Sequence, residues 1–256
     1  EYLVNAQIGR YPKPYVAIMD GITMGGGVGI SAHGSVRIAT DTTKMAMPEV
    51  GIGFIPDVGG TYLLARTPGL LGLHAALSGA PFTGADAIAM GFADHFVPRD
   101  LLEAFLATAI ADGPAAAVAA HAQEPPPSTL LDQRDWIDEC YAGDTVSDIL
   151  AALGDRGGEQ ATKAAELISS RSPVALAVTL EAVRRAGTLT SLEDVLRQEF
   201  RTSCASLRSH DLVEGIRAQL IDKDRNPKWS PPSPEAVTTA DVEAYFAPAD
   251  PDLSFD

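Results

Sequence analysis

An α/β core followed by a helical C-terminal region is the architecture this sequence predicts, and three observations predict it. Residues 1–110 alternate short apolar runs with glycine-rich turns and amphipathic stretches, as strands and helices do in one layered core. Consecutive prolines in Gln123-Glu124-Pro125-Pro126-Pro127-Ser128 favour extended backbone and read as a linker. From Thr129 onward the apolar residues recur almost wholly at helical spacing. A chain of 256 residues that is 46% hydrophobic is long enough to bury one sizeable core.

The elements follow in order. The apolar run at 15–19 reads as a strand ending in Asp20-Gly21. Gly25, Gly26 and Gly27 then turn the chain and open a helix through Val28-Gly29-Ile30-Ser31-Ala32. Two more strands are expected at 36–39 and 45–47, then Gly/Pro-rich loops carrying Glu49 and Asp57, then a helix from about Val58-Gly59-Gly60. Beyond the linker, Leu130, Leu131, Trp136 and Ile137 fit one amphipathic face; Val146, Ile149, Leu150 and Leu153 fit another. Ser172-Pro173 opens a helix to about Ala186, with proline in its first turn. Ser191, with Asp194 three residues on, resembles a capping box with a shorter acid, ahead of Val195, Leu196 and Phe200. A helix starting at Asp211-Leu212 ends near Asp222, and a short one fits 241–246 in the polar, Pro-rich tail.

The glycine cluster and the two acids carry the candidate chemistry. A helix that starts in glycines leaves bare N–H groups at the positive end of its dipole. Such N–H groups suit an anion, or the negative oxygen that develops when a carbonyl is attacked or enolised. Glu49 and Asp57, eight residues apart, are candidates for acid–base work. Plainer readings exist for each: three glycines make a flexible turn, Asp57 caps the following helix, and a loop glutamate is simply solvated.

Composition narrows the classes. Asp+Glu 34 against Lys+Arg 19 gives a net charge of −15, which argues against nucleic acid. An anionic ligand must therefore find locally placed cations, and the best local cluster is Lys223, Arg225 and Lys228 in IDKDRNPKW. No apolar run approaches the roughly 20 residues a membrane span needs, and no signal-peptide pattern is visible. Cys140 and Cys204 lie far apart without metal-like spacing and read as ordinary thiols of a reducing compartment. Of the five scattered histidines, His33 on the glycine helix and His210 beside Asp211 read as core or surface residues, so no metal site is expected.

The strings KPYVAIMDGITMGGGVGIS and MPEVGIGFIPDVGG resemble the crotonase (enoyl-CoA hydratase/isomerase) superfamily, and ITMGGGVG with PDVGG is similar to its 3-hydroxyisobutyryl-CoA hydrolase branch. The segment TYLLARTPGLLGLHAALSGAPFTGADAIAMGFADHFVP resembles the superfamily too. DWIDECYAGDTVSDILAAL resembles a hydrolase-branch insertion, and SPVALAVTLEAVRRA with FRTSCASLRSHDLVEGIRAQLIDKDRNPKWSP the branch's C-terminal helices. The resemblance implies a crotonase-type spiral of ββα units at 1–122, a helical insertion at 123–171 and a C-terminal helical region at 172–256. It aligns EYLVNAQIGRYPKP with an internal helix, so the fold's first strands, with a C-A-G-G-D type loop, are expected to precede these residues.

What the resemblance implies for chemistry turns on three positions. Hydratases of the superfamily carry GGG-x-E-L and IPG-x-GG and use two glutamates; the first would stand at Gly29, and Asp57 stands where they have glycine. Hydrolysis of a short branched β-hydroxyacyl-CoA, first 3-hydroxyisobutyryl-CoA of valine catabolism, is therefore the expected reaction. Glu49 is the expected base or nucleophile, the Gly26 N–H an oxyanion donor, and Asp57 the group that orients the 3-hydroxyl or the water. Glu1, Gly25 and Gly29 are expected at the substrate, and Lys223, Arg225 and Lys228 at the CoA phosphates. An enoyl-CoA hydratase or isomerase on the same fold, and a non-catalytic CoA-binding homologue, remain the alternatives. No cofactor is implied, because CoA is part of the substrate. Neither nucleic acid nor membrane is an expected partner, a homo-oligomer fits, and the expected place is the cytoplasm of a bacterium or the mitochondrial matrix of a eukaryote.

Overall fold

The computed structural model describes residues 1–255. Helix α1 (Tyr2–Gly9) leads to strand β1 (Val16–Met19), and the turn at Asp20-Gly21 passes the chain to β2 (Ile22–Met24). Helix α2 (Gly26–Ser31), β3 (Val36–Ala39), β4 (Lys44–Ala46) and a 3-10 turn (Glu49–Ile52) follow. Next come α3 (Gly60–Leu64), α4 (Leu71–Ser78), β5 (Phe82–Thr83), α5 (Gly84–Ala89) and β6 (His95–Phe96). Helices α6 (Leu102–Asp112) and α7 (Pro114–His121) close the first half. The second half is helical: α8 (Arg134–Cys140), α9 (Val146–Arg156), α10 (Glu159–Ser169), α11 (Pro173–Ala186) and α12 (Leu192–Ser206). It ends with α13 (His210–Ile216), a π-helical turn (Arg217–Ile221) and α14 (Thr239–Tyr245).

Two small sheets organise the first half. In one, β3 pairs in parallel with β1 (Val16 opposite Val36) and with β6. In the other, β4 pairs in parallel with β2 and antiparallel with β5. The chain steps from the first sheet to the second twice, β1 to β2 and β3 to β4, and each step ends near a helix start. This is the ββα spiral that the resemblance implies, and it delivers α2 and the Glu49–Ile52 turn to the same end of the second sheet.

One apolar cluster runs from Met19 and Met45 in the sheets through Leu71 of α4 to Ile137, Ile149 and Leu180. The sheets of the first half and the helices of the second thus bury a common surface, the dominant favourable contribution to folding. Asp86 ties the linker down, accepting hydrogen bonds from Ser128 Oγ (2.7 Å) and the Leu130 N–H (3.0 Å). A smaller cluster around Ile38, Val97, Phe105 and Ala117 seats α6 and α7.

Four local expectations change. Strand β2 is additional: three residues between glycines are too few to display alternation, and pairing with β4 makes them a strand. Strand β4 begins one residue early, at the exposed Lys44, because pairing with Ile22 and Thr83 sets its bounds, not apolarity. Helix α3 is capped by Gly59 at φ +80°, not by Asp57. The tail helix starts two residues early, where Thr238 and Asp241 form a reciprocal capping box. At α12, Ser191 Oγ accepts the Asp194 N–H at 3.0 Å as expected, while the Asp194 carboxylate takes the Ser191 hydroxyl.

Candidate active site

Four segments, from the start of the chain, residues 49–57 and α12, meet around two carboxyl groups. The turn after Pro48 swings the Glu49 side chain inward until only 7% of the residue is exposed. The loop before α3 carries Asp57, half-buried. The start of α1 brings Glu1 and Tyr2, and α12 supplies Glu199 and Ser203 from behind. The Tyr2 hydroxyl donates to Asp57 Oδ2 at 2.8 Å and is hydrogen-bonded to Ser203 Oγ at 2.7 Å.

The glycine turn supplies the open wall. Gly25, the N-cap of α2, has φ +52°, a conformation that side chains with a Cβ rarely adopt. The first helical bonds run from Val28 and Gly29 to the Gly25 carbonyl, leaving the Gly26 and Gly27 N–H groups as the bare end of the helix. A Cβ built on Gly25 would stand 3.2 Å from Glu49 Oε1, and one on Gly26 would stand 3.1 Å from Glu1 Oε1. The glycines therefore sit between the two glutamates, Glu49 on the buried side and Glu1 on the exposed side.

Burial dominates the electrostatics. It pushes the Glu49 carboxyl up from 4.5 to about 8, with the charges of Asp57 and Glu199 adding to the rise. Glu49 Oε2 is buried without a hydrogen-bond partner among the described residues. Asp57 is raised to about 6, chiefly by burial, while the Tyr2 hydroxyl pulls it back and the Glu1 charge pushes it up. Glu199, fully buried, is raised to about 8 by burial against the three donors it accepts from Gly59 and Thr61. Such a constellation can hold a carbonyl oxygen at a helix end, deliver a carboxylate to its carbon and orient a hydroxyl from a second acid.

The sequence-derived residues divide accordingly. Glu49, Asp57, Glu1, Gly25 and Gly26 come together. Gly29 does not face the opening: a Cβ there would lie 2.6 Å from Val58 Cβ and 2.9 Å from Asn5 Nδ2, so protein already fills the space expected for substrate. Its smallness lets α1 and the Val58 loop approach α2. Lys223, Arg225 and Lys228 lie exposed beyond α13, and among the described residues no hydrogen bond or ion pair links them to Glu1, Glu49 or Asp57. Arg217 gathers Glu214, Asp222 and Asp224 in the same loop, which dilutes the positive charge expected there.

His33 is half-buried, with Nε2 donating to the Val58 carbonyl at 2.8 Å; His210 pairs with Asp211 at the surface. Sequence reasoning missed Tyr2, Glu199 and Ser203. One signal was present: Glu199 and Ser203 continue the buried face of α12 set by Val195 and Leu196, and an acid on an apolar stripe calls for a partner. Among the described residues there is no group of three metal-binding side chains, and no helix is long and apolar enough to cross a membrane.

Comparison with known proteins adds three findings. The profile of the enoyl-CoA hydratase/isomerase family matches residues 1–246. The mitochondrial 3-hydroxyisobutyryl-CoA hydrolase of Danio rerio is 40% identical over 262 residues, covering 98% of this chain and 68% of the relative; that of Homo sapiens is 39% identical over 257 residues, 96% and 66%. The chain thus spans about two thirds of the length of these relatives. Among solved structures, a carnitinyl-CoA dehydratase from Mycobacterium thermoresistibile is 70% identical with a TM-score of 0.97, covering 100% of this chain and 74% of the other. An enoyl-CoA hydratase from Rhodobacter sphaeroides is 41% identical with a TM-score of 0.91, covering 99% and 74%.

Proposed function

We propose that this chain, which belongs to the enoyl-CoA hydratase/isomerase family, hydrolyses the thioester of a short branched β-hydroxyacyl-CoA, first 3-hydroxyisobutyryl-CoA. One observation carries the reading. A buried carboxyl with a free oxygen, Glu49, stands beside the bare α2 start and near a second acid, Asp57, while the position of the other hydratase glutamate is the packed Gly29.

In this reading the thioester carbonyl oxygen rests on the Gly26 N–H, a type of contact worth about 3 kcal/mol in the transition state. Glu49, once deprotonated, takes a proton from water as the water oxygen attacks the carbonyl carbon. The C–S bond then breaks, and the proton goes to the departing CoA sulfur. Attack by Glu49 itself, through an anhydride that water opens, is the other route with the same products. Asp57, aimed by Tyr2, accepts the 3-hydroxyl, and Glu1 lines the entrance. The hydrolase names of the relatives support this reading, and their mitochondrial location supports the matrix as its compartment in a eukaryote, with the cytoplasm as the counterpart in a bacterium.

The second reading is hydration or dehydration of an enoyl-CoA, favoured by the names of the two solved structures. It requires Asp57 to do the work of the missing glutamate. The deciding experiment uses the full-length protein: thiol release from 3-hydroxyisobutyryl-CoA against hydration of crotonyl-CoA. Thiol release with no hydration is the expected result, and hydration without thiol release overturns the hydrolase reading.

A further inference from the structure

The turn that carries Asp57 is held in a conformation its own residues disfavour. Val58 has φ +55°, the left-handed region, where a β-branched side chain is a genuine outlier. Such outliers persist only when the surroundings over-determine them. Two groups grip this one. His33 Nε2 donates to the Val58 carbonyl at 2.8 Å. Glu199 accepts the Gly59 N–H at 2.6 Å through Oε2, and the Thr61 N–H (2.9 Å) and hydroxyl (2.6 Å) through Oε1.

Glu199 is 0% exposed and has no ion pair among the described residues. A buried acid without a cation is costly unless its oxygens are fully bonded. All three of its donors come from the turn after Asp57, 138 and 140 residues away in sequence. One helical turn farther along α12, Ser203 bonds the Tyr2 hydroxyl, which in turn donates to Asp57. One helix therefore holds the Asp57 segment twice, through Glu199 on Gly59 and Thr61 just after it and through Ser203 and Tyr2 on the Asp57 carboxylate.

We propose that Glu199 is a positioning residue: by gripping Gly59 and Thr61 it keeps the Asp57-Val58 turn left-handed and aims Asp57 at the substrate's 3-hydroxyl. The aim at a hydroxyl rests on the thioesterase reading; the grip on the turn does not.

Glu199→Gln replaces one acceptor oxygen with a donor that faces a donor, so one side of the grip is lost. In the full-length protein the variant should lower kcat for 3-hydroxyisobutyryl-CoA by on the order of 10²-fold, as misplacement by about 1 Å does. The loss for isobutyryl-CoA, which lacks the hydroxyl, should be much smaller. In an Asp57→Asn background the same change should cost nothing further. Equal losses on the two substrates, or an undiminished loss in the Asp57→Asn background, would overturn the proposal. Should Glu199→Gln not fold, Thr61→Val removes one donor at constant shape and carries the same comparisons. A wild type that releases thiol from neither substrate defeats the thioesterase reading instead. The crystal structure of the variant then decides the positioning role: Val58 leaving the left-handed region supports it, and Val58 staying there with Asp57 still on Tyr2 refutes it.

Discussion

Replacing Glu49 by glutamine should stabilise this protein, and increasingly so as pH rises. Burial lifts the Glu49 carboxyl from 4.5 to about 8, so the folded state holds its proton where the unfolded chain has released it. Below pH 4.5 both states carry the proton, and glutamate and glutamine behave alike. Between 4.5 and about 8 the folded state binds more protons than the unfolded one, so stability falls with rising pH. Above about 8 the loss is complete. At about 1.4 kcal/mol per pH unit, the whole interval amounts to at most about 5 kcal/mol. For a chain of this size about 1 kcal/mol moves the melting temperature by roughly 2–4 °C, so the gap should reach on the order of 10 °C. The assay is thermal unfolding of wild type and Glu49→Gln at pH 5, 7 and 9. The melting temperatures should nearly coincide at pH 5 and separate progressively. A gap that stays constant or narrows with pH would refute the claim that Glu49 is held in a dehydrated site against its ionisation. The same substitution should lower turnover by roughly 10²–10⁴-fold, because a positioned acid–base group contributes about that much.

Two other perturbations test neighbouring contacts. Asp57→Asn keeps the Tyr2 hydrogen bond but removes the charge, so turnover should fall more for 3-hydroxylated acyl-CoA than for plain acyl-CoA; equal falls in a steady-state comparison would remove the hydroxyl-orienting role. Gly29→Ala forces a Cβ to within 2.6 Å of Val58 Cβ and should destabilise the fold by about 1–3 kcal/mol, partly offset by about 1 kcal/mol of helix propensity. Adding Val58→Gly should relieve the left-handed strain and the Val58 part of the clash, leaving the contact with Asn5 Nδ2, and a higher melting temperature for Gly29→Ala alone would refute the packing role. Gly29→Glu should accordingly reduce the yield of folded protein and not merely block the acyl group.

The strand at 36–39 and the helix from Pro173 to Ala186 are legible in the sequence because their causes are local: a short apolar run in one, a Ser172 cap and Pro at the first turn in the other. The glycine opening of α2 is local as well, since glycine tolerates the positive φ that the turn at Gly25 requires. Glu49 and Asp57 stand out through the strings around them. The fold alone decided what surrounds them. Strand β2 exists through its pairing with β4, and Gly29 turns out to be a packing position because α1 and the Val58 loop press on α2. Tyr2 reaches Asp57 across 55 residues, and Glu199 reaches Gly59 across 140. Caps and periodicity depend on residues within about four positions of one another, so a sequence displays them directly. Desolvation of a carboxyl, and the donors that offset it, depend on which distant segments pack around it, and that is decided only when the chain has folded.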